Sequence, residues 1–248
     1  MSKQSDLVTV ARDAGASGYV NVTGDTMTGP LAVDVAAASS TTDALVVQNS
    51  GVGSVGDTTG LRFRYVTAEP AAIRAVLTST VSGEGRLGLF TSSDGSGGGL
   101  VERLGVDSAG RVTMPYQPAF NATGSVTQSW SGSFNQQIPV LSNAQLNRGN
   151  HYNASTYRFT APIAGVYFLY FRMADQTGST GPMASLFING VDQGEQIISY
   201  STAYKTSTTI RLIQLNANDV VDFRVGNYNS TSFALDLSRT AFGGYLIG

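Results

Sequence analysis

The chain has 248 residues, a formal net charge of −2, no cysteine, and only two lysines, Lys3 and Lys205, beside singly scattered arginines. That length supports one large or two small domains with real cores. The charge balance excludes a basic stripe for nucleic acid, and the lack of cysteine excludes disulfides, thiolate nucleophiles and thiolate metal sites. No apolar leader follows the opening residues and no segment is apolar for long enough to cross a membrane, so no membrane insertion is expected. Charged residues are 13% of the chain, while Gly, Ser, Thr and Asn abound; this favours an all-β fold with a hydroxylic and amidic surface.

In the first 20 residues Leu7, Val10, Ala11 and Ala14 lie at helical spacing, with Ser5 or Asp6 as a cap and Gly15 as a stop. Too short to be stable alone, the segment reads either as an attachment peg or small three-helix bundle resting on Leu7, Val10 and Ala11, or as a frayed terminus. The string Asn21-Val-Thr-Gly24-Asp25-Thr-Met27-Thr-Gly29-Pro30-Leu31 follows. Its glycines accept positive φ and Pro30 disfavours helix at Gly29, so it is a turn with an extended exit. Gly24 to Leu31 resembles an element that recurs near the particle-proximal end of tail fibres of bacterial viruses. The resemblance implies that residues 1–42 attach the chain to a virion tail or baseplate protein.

Residues 43–115 read as short strands, Ala44–Gln48, Leu61–Val66, Ile73–Thr78, Arg86–Thr91, Leu100–Val106 and Arg111–Met114, separated by glycine-rich turns. Leu61, Phe63 and Tyr65 alternate with Arg62 and Arg64, which predicts an apolar face in a core and a polar face in water. The segment Glu102 to Val112, with a turn at Asp107 to Gly110, resembles hairpins of viral fibre shafts; a β-rich shaft or collar domain is expected, with a plain monomeric sandwich as the alternative. Gly51-Val-Gly53-Ser-Val-Gly56 has dinucleotide-fingerprint spacing, but a strand-like run and no helix follows it, so it is a loop.

Pro115 and Pro118 mark a boundary, and residues 116–248 then supply candidate strands at Ala119–Thr123, Val126–Phe134, Tyr152–Thr160, Val166–Met173, Ala184–Ile188, Glu195–Tyr200, Ser207–Leu215, Val220–Val225 and Ala241–Ile247. In Val166–Met173 both faces are apolar: Tyr167, Leu169, Phe171 and Met173 on one, Val166, Phe168 and Tyr170 on the other. One face can pack inside a sandwich; the other asks for a partner, another copy of this chain being the natural one. Asn147, Tyr152, Phe159, Gly165, Tyr167 and Phe171, with the ending Phe242-Gly-Gly-Tyr245-Leu-Ile, resemble the signature of C1q-like domains. Leu141 and Leu169 stand where that family usually has Phe. The resemblance implies a C1q/TNF-type jelly-roll sandwich that assembles as a homotrimer, with interface candidates Tyr167, Leu169, Phe171, Leu212, Phe242 and Tyr245.

With antiparallel strands, alternate connections share an end. Asp175–Pro182, Ser201–Thr206 and Asn227–Ala234 therefore form the end far from the collar. Tyr200, Tyr204, Asn227, Tyr228 and Asn229 give that tip amphipathic contact area and amide hydrogen bonds suited to a host surface glycan or protein, although polar turns carry such residues anyway. His151 is the single histidine. The four glutamates, Glu69, Glu84, Glu102 and Glu195, have turn or strand-surface explanations, and Asp175 and Asp192 fall in opposite loop sets. No catalytic, cofactor or metal site is therefore assigned. The combined expectation is a non-enzymatic trimeric tail fibre or receptor-binding protein, made in the host cytoplasm and carried on the virion; the alternative is a purely structural head-fibre, collar or baseplate component that uses the same domain to trimerise.

Overall fold

The computed structural model describes residues 53–65, 68–93, 99–131, 136–178, 181–198, 205–229 and 231–248, and among these every regular element is a strand. The candidate helix with Leu7, Val10 and Ala11, the Asn21–Leu31 string, the strand expected at 44–48, and Tyr200 and Tyr204 lie outside the described residues.

Strands β1 (Thr58–Tyr65), β2 (Ala68–Leu77), β3 (Gly85–Ser92), β4 (Leu100–Val106) and β5 (Val112–Thr113) form a five-stranded antiparallel meander in chain order. The β4–β5 turn is held by Asp107, whose Oδ1 accepts the N–H groups of Ala109 and Arg111, while Gly110 takes φ 79°. Glycine is needed there because an L side chain disfavours that conformation. The two faces of the meander are the reverse of the sequence expectation. Arg62 pairs with Ala72 and Val76 with Arg86, so the arginine-bearing face is the one that holds the buried cluster Ala72, Val76 and Phe90 with Leu100. Arg74 lies 5.2 Å from the Phe90 ring centroid and Arg86 pairs with Glu102 at 3.1 Å, so long arginine stems cover that face from within the chain. Leu61 and Phe63 point to the other face, which stays open.

The remaining strands make a two-sheet sandwich. Its front sheet links β7 (Thr127–Trp130), β16 (Phe233–Asp236), β11 (Gly165–Asp175), β17 (Ala241–Leu246), β6 (Ala119–Thr123) and β8 (Asn143–Arg148) in hydrogen-bonded sequence, β14 (Lys205–Leu215) occupying one edge of β11 while β17 and β16 follow one another along the other. The back sheet runs β13 (Val191–Ile198), β12 (Pro182–Ile188), β15 (Val220–Asn227), β10 (Arg158–Thr160) and β9 (Tyr152–Asn153). Between them Phe120 stacks on Phe159 at 4.5 Å and Phe171 on Phe223 at 4.7 Å, with Phe242 edge-on to Phe120 and Phe223. These rings fill the space between two sheets about 10 Å apart.

Two strands were not expected, β8 and β16, and one expected strand is two. Tyr152–Thr160 is interrupted after Asn153, whose Oδ1 accepts the N–H groups of Ser155 and Thr156, and the chain then turns through Tyr157 at φ 61° before resuming as β10. Pro182, expected in a loop, opens β12. The turn before β9 is clamped by Asn147: its Nδ2 donates to the Tyr152 carbonyl at 2.8 Å and its Oδ1 accepts the Tyr152 N–H at 3.0 Å. The Tyr152 hydroxyl donates to the Leu141 carbonyl at 2.8 Å, and burial pushes that phenol's pKa far up. Asn147→Ala leaves both main-chain groups of Tyr152 without their partner and is expected to cost about 2–3 kcal/mol, seen as a lower thermal midpoint with the fold retained.

Candidate functional site

Residues Gly165 to Asp175 decide what the front sheet offers on each side. Tyr167, Leu169, Phe171 and Met173 are fully buried between the sheets, as is Phe242. Four of the six expected interface residues, Tyr167, Leu169, Phe171 and Phe242, are thus interior to one protomer and meet no partner. The physical reason is parity: the residues that face β10 and β15 across the sandwich are the odd-numbered ones of β11, so the even-numbered set turns outward.

The outward face carries the other two, Leu212 and Tyr245. Leu212 of β14, Phe168 of β11 and Tyr245 of β17 stand side by side across three neighbouring strands, and one row on Ile210, Tyr170, Gly243 and Asn121 do the same across four. The rings of Phe168 and Tyr245 stack at 5.1 Å, and the Tyr170 hydroxyl donates to Asn121 Oδ1 at 2.8 Å. Ile210 and Leu212 are 58% and 65% exposed and Tyr245 48%. Val166 and Leu146 extend the same apolar band to either side. Tyr170 lies flat over Gly243, where an added Cβ would come within 2.5 Å of its ring. Gly243→Ala therefore forces the ring outward and breaks its bond to Asn121; we expect a loss of about 1–2 kcal/mol in thermal unfolding, with the head still folded.

On the back sheet the described outward residues of β12, Met183, Ser185 and Phe187, are buried. Arg224 lies 3.9 Å over the Phe187 ring, and Asp222 accepts Arg158 Nε at 3.0 Å and Arg224 Nε at 2.8 Å. The buried carboxylate there is paired twice, which suits a structural role.

The described loops divide between the two ends of the sandwich, and residues 201–204 of the loop expected at the far end lie outside the described residues. At the end where β6 begins, Ala161 and the Asn216–Asp219 turn exchange main-chain hydrogen bonds, Asn189 Nδ2 donates to Asp219 Oδ1, and the Val166 N–H donates to the Gly248 carbonyl. At the opposite end the Tyr228 N–H donates to the Gly181 carbonyl and Gln176 N–H to that of Ala234. Tyr228 is 66% exposed and Asn229 is exposed. Asn227 is not available there: its side chain is fully buried, donating to Thr231 Oγ1 and accepting the Asn229 N–H, so it shapes the loop instead of contacting a ligand. Tyr228 and Asn229 are therefore the tip candidates that the structure places on the surface.

Asp175 and Asp192 stand apart as expected. Asp175 Oδ1 accepts the N–H and hydroxyl of Thr177, and Asp192 accepts Gly194 N–H and Gln136 Nε2. Among the described residues no three metal-capable side chains cluster. The His151 ring packs against Gly149, and partial burial lowers its pKa. Where the meander meets the sandwich, a cleft of about 690 Å³ is lined by Arg86, Glu102, Tyr116 and Arg148. Its charges already have partners: Glu102 pairs with Arg86, and Arg148 Nη1 donates to the Met114 carbonyl at 3.1 Å.

The signature residues act in this geometry as structural parts: Asn147 clamps a turn, Tyr152, Phe159 and Phe171 fill the core, and Gly165 leaves room for Leu246 and the Gly248 carbonyl. A family model described as the C1q domain matches residues 119–247, just over half of the chain. The chain belongs to the C1q-domain family. Solved structures similar to it include the globular domain of zebrafish complement 1qA protein, at 15% identity and TM-score 0.41, covering 53% of this chain and 98% of that one. They also include Eiger TNF from S. frugiperda (14% identity, TM-score 0.41, 53% and 93% covered) and murine APRIL at pH 8.5 (18%, 0.40, 53% and 99%). No curated protein matches the chain. Among the described residues of the C1q domain, the outward face of β6, β17, β11 and β14 and the Tyr228 loop are surfaces open to a partner.

Proposed function

We propose that this chain is a homotrimeric tail fibre or related appendage of a bacterial virus, in which the C1q domain holds three copies together and its tip contacts the host surface. The observation that carries this reading is the uncovered apolar band of Phe168, Tyr170, Ile210, Leu212 and Tyr245 on a sheet whose other face already forms the core. A protomer with that face bare would aggregate or assemble, and a closed rotation axis lets identical copies cover it. The resemblance of Gly24 to Leu31 to a fibre element supports the virion as the setting, with the N-terminal residues as the attachment. Function is then recognition without chemistry: three identical tips, each weak, gain strength by binding together.

The test uses the whole chain. Its mass by light scattering on a sizing column is expected to be that of three chains, and a single-chain mass would remove the proposal. Fluorescently labelled chain is then added to bacterial cells it binds, and compared with a variant carrying Tyr200→Ala, Tyr204→Ala, Tyr228→Ala and Asn229→Ala together. Binding is expected to fall roughly tenfold or more with the mass unchanged. A trimer whose binding survives these replacements would favour the purely structural virion role.

A further inference from the structure

The described part of the meander formed by β1 to β5 has an open face that is mostly apolar; one arginine reaches it, Arg103 at the β4 bulge, whose Nε donates to Thr91 Oγ1 at 3.0 Å and whose guanidinium lies 4.4 Å over the Tyr116 ring. Leu61 and Phe63 of β1, Ile73 of β2, Leu87 and Leu89 of β3, and Val106 of β4 share that side by strand register. Leu61, Phe63, Leu87 and Leu89 are each between 43% and 52% exposed. The opposite face is already covered by its own arginines. A sheet that keeps most of its described arginines over the covered face and leaves leucines bare is built to be covered by something equally apolar.

We infer that this face is covered by the same face of two further copies, so that three meanders close around a common axis with β3, the middle strand, nearest to it. The inference rests on the trimer of the C1q domain proposed above and names a second contact within it. Two observations favour copies of the chain over another occupant. The first is the connection. Only Met114 to Pro118 separate β5 from β6, a span of about 18 Å at most. Arg148 Nη1 donates to the Met114 carbonyl, and Gln117 Nε2 donates to the Leu246 carbonyl. Three heads joined on one axis therefore hold their meanders close together, at an effective concentration of order millimolar. The second is size. Four strands with three to four residues each on this side, and Val112 of β5, give a footprint of roughly 20 by 23 Å, below what a stable interface needs by itself. Such a face is too small to recruit a free partner strongly, but it is sufficient once copies are already tethered.

The chain has no cysteine, so single thiols can be placed at will. Leu89→Cys, and separately Leu87→Cys, both on β3 and facing the open side, would be labelled with pyrene in the full chain; Thr113→Cys, on the other face at β5, is the control. A three-chain mass with excimer emission at positions 89 and 87, several-fold above that at 113, is the expected result. A three-chain mass with no excimer at either β3 position overturns the closed meander while leaving the head trimer standing. Equal excimer at 113 overturns it too, because the contact would not be specific to one face. A single-chain mass in the unlabelled protein overturns the head trimer and this inference together.

Discussion

Leu212→Glu is expected to convert three-chain particles into folded single chains. Leu212 is 65% exposed in the protomer and sits beside Phe168 and Tyr245 on the open face of the front sheet. In a lone chain the glutamate stays in water, so the sandwich loses little. In the trimer the same carboxylate must leave water and approach its two symmetry copies, which costs several kcal/mol; at 1.4 kcal/mol per tenfold this weakens assembly by a factor on the order of 10² to 10³. Light scattering on a sizing column reads the mass, and a cooperative thermal transition of the variant shows that the head still folds. A variant that keeps the three-chain mass would show that the trimer uses another surface.

Phe171→Asp, four residues along the strand from Tyr167 on the same buried face, has the opposite expected outcome: no folded head at all. Phe171 is fully buried and stacks on Phe223 of the back sheet. Removing such a ring costs about 3–5 kcal/mol, and an unpaired carboxylate in that position adds several more, against a typical total stability of 5–15 kcal/mol. Tyr167→Asp is expected to do the same, since its ring packs on Phe159 and its hydroxyl donates to the Ile163 carbonyl at 2.9 Å. The readout is insoluble protein or loss of the near-ultraviolet dichroism of the aromatic cluster. Soluble, folded single chains of Phe171→Asp would mean that this residue faces a neighbour and not the core. The pair of variants separates two faces of one sheet: the outward side, with Leu212 of β14, affects assembly and the inward side, with Phe171 of β11, affects folding.

The strand from Val166 to Met173 was legible as two-sided because apolar residues occupy both parities. Which side is the core was not, since Tyr167, Leu169 and Phe171 are no more apolar as a set than Val166, Phe168 and Tyr170. That choice is made by the register with β17, which puts Phe242 beside Phe171 and Gly243 under Tyr170, and single-strand periodicity does not contain it. The same ambiguity reversed the meander: alternation of Leu61 and Phe63 with arginines looks like core against water, yet arginine stems can cover a small core while leucines wait for another chain. Strand β8 escaped because Asn143-Ala-Gln-Leu-Asn-Arg148 has only two apolar residues, and β16 because four residues beside a polar loop look like part of it. Asn227 looked like a contact residue on composition alone; only the coordinates show its amide turned inward to Thr231 and Asn229. The C1q signature was legible because each of its residues has a fixed mechanical task, in a clamp, a close approach or the core.

Strand β6 near the start of the head pairs with β17 near its end, and β17 lies between β6 and β11. On a ribosome adding about 5–20 residues per second, β6 waits on the order of ten seconds for its neighbour, and until then the front sheet has a gap in its middle. The face that includes Phe168, Tyr245 and Leu212 does not exist as a continuous surface during that interval. Assembly through that face has to wait for translation of β17, so a nascent or prematurely terminated polypeptide lacks the centre strand needed to form it.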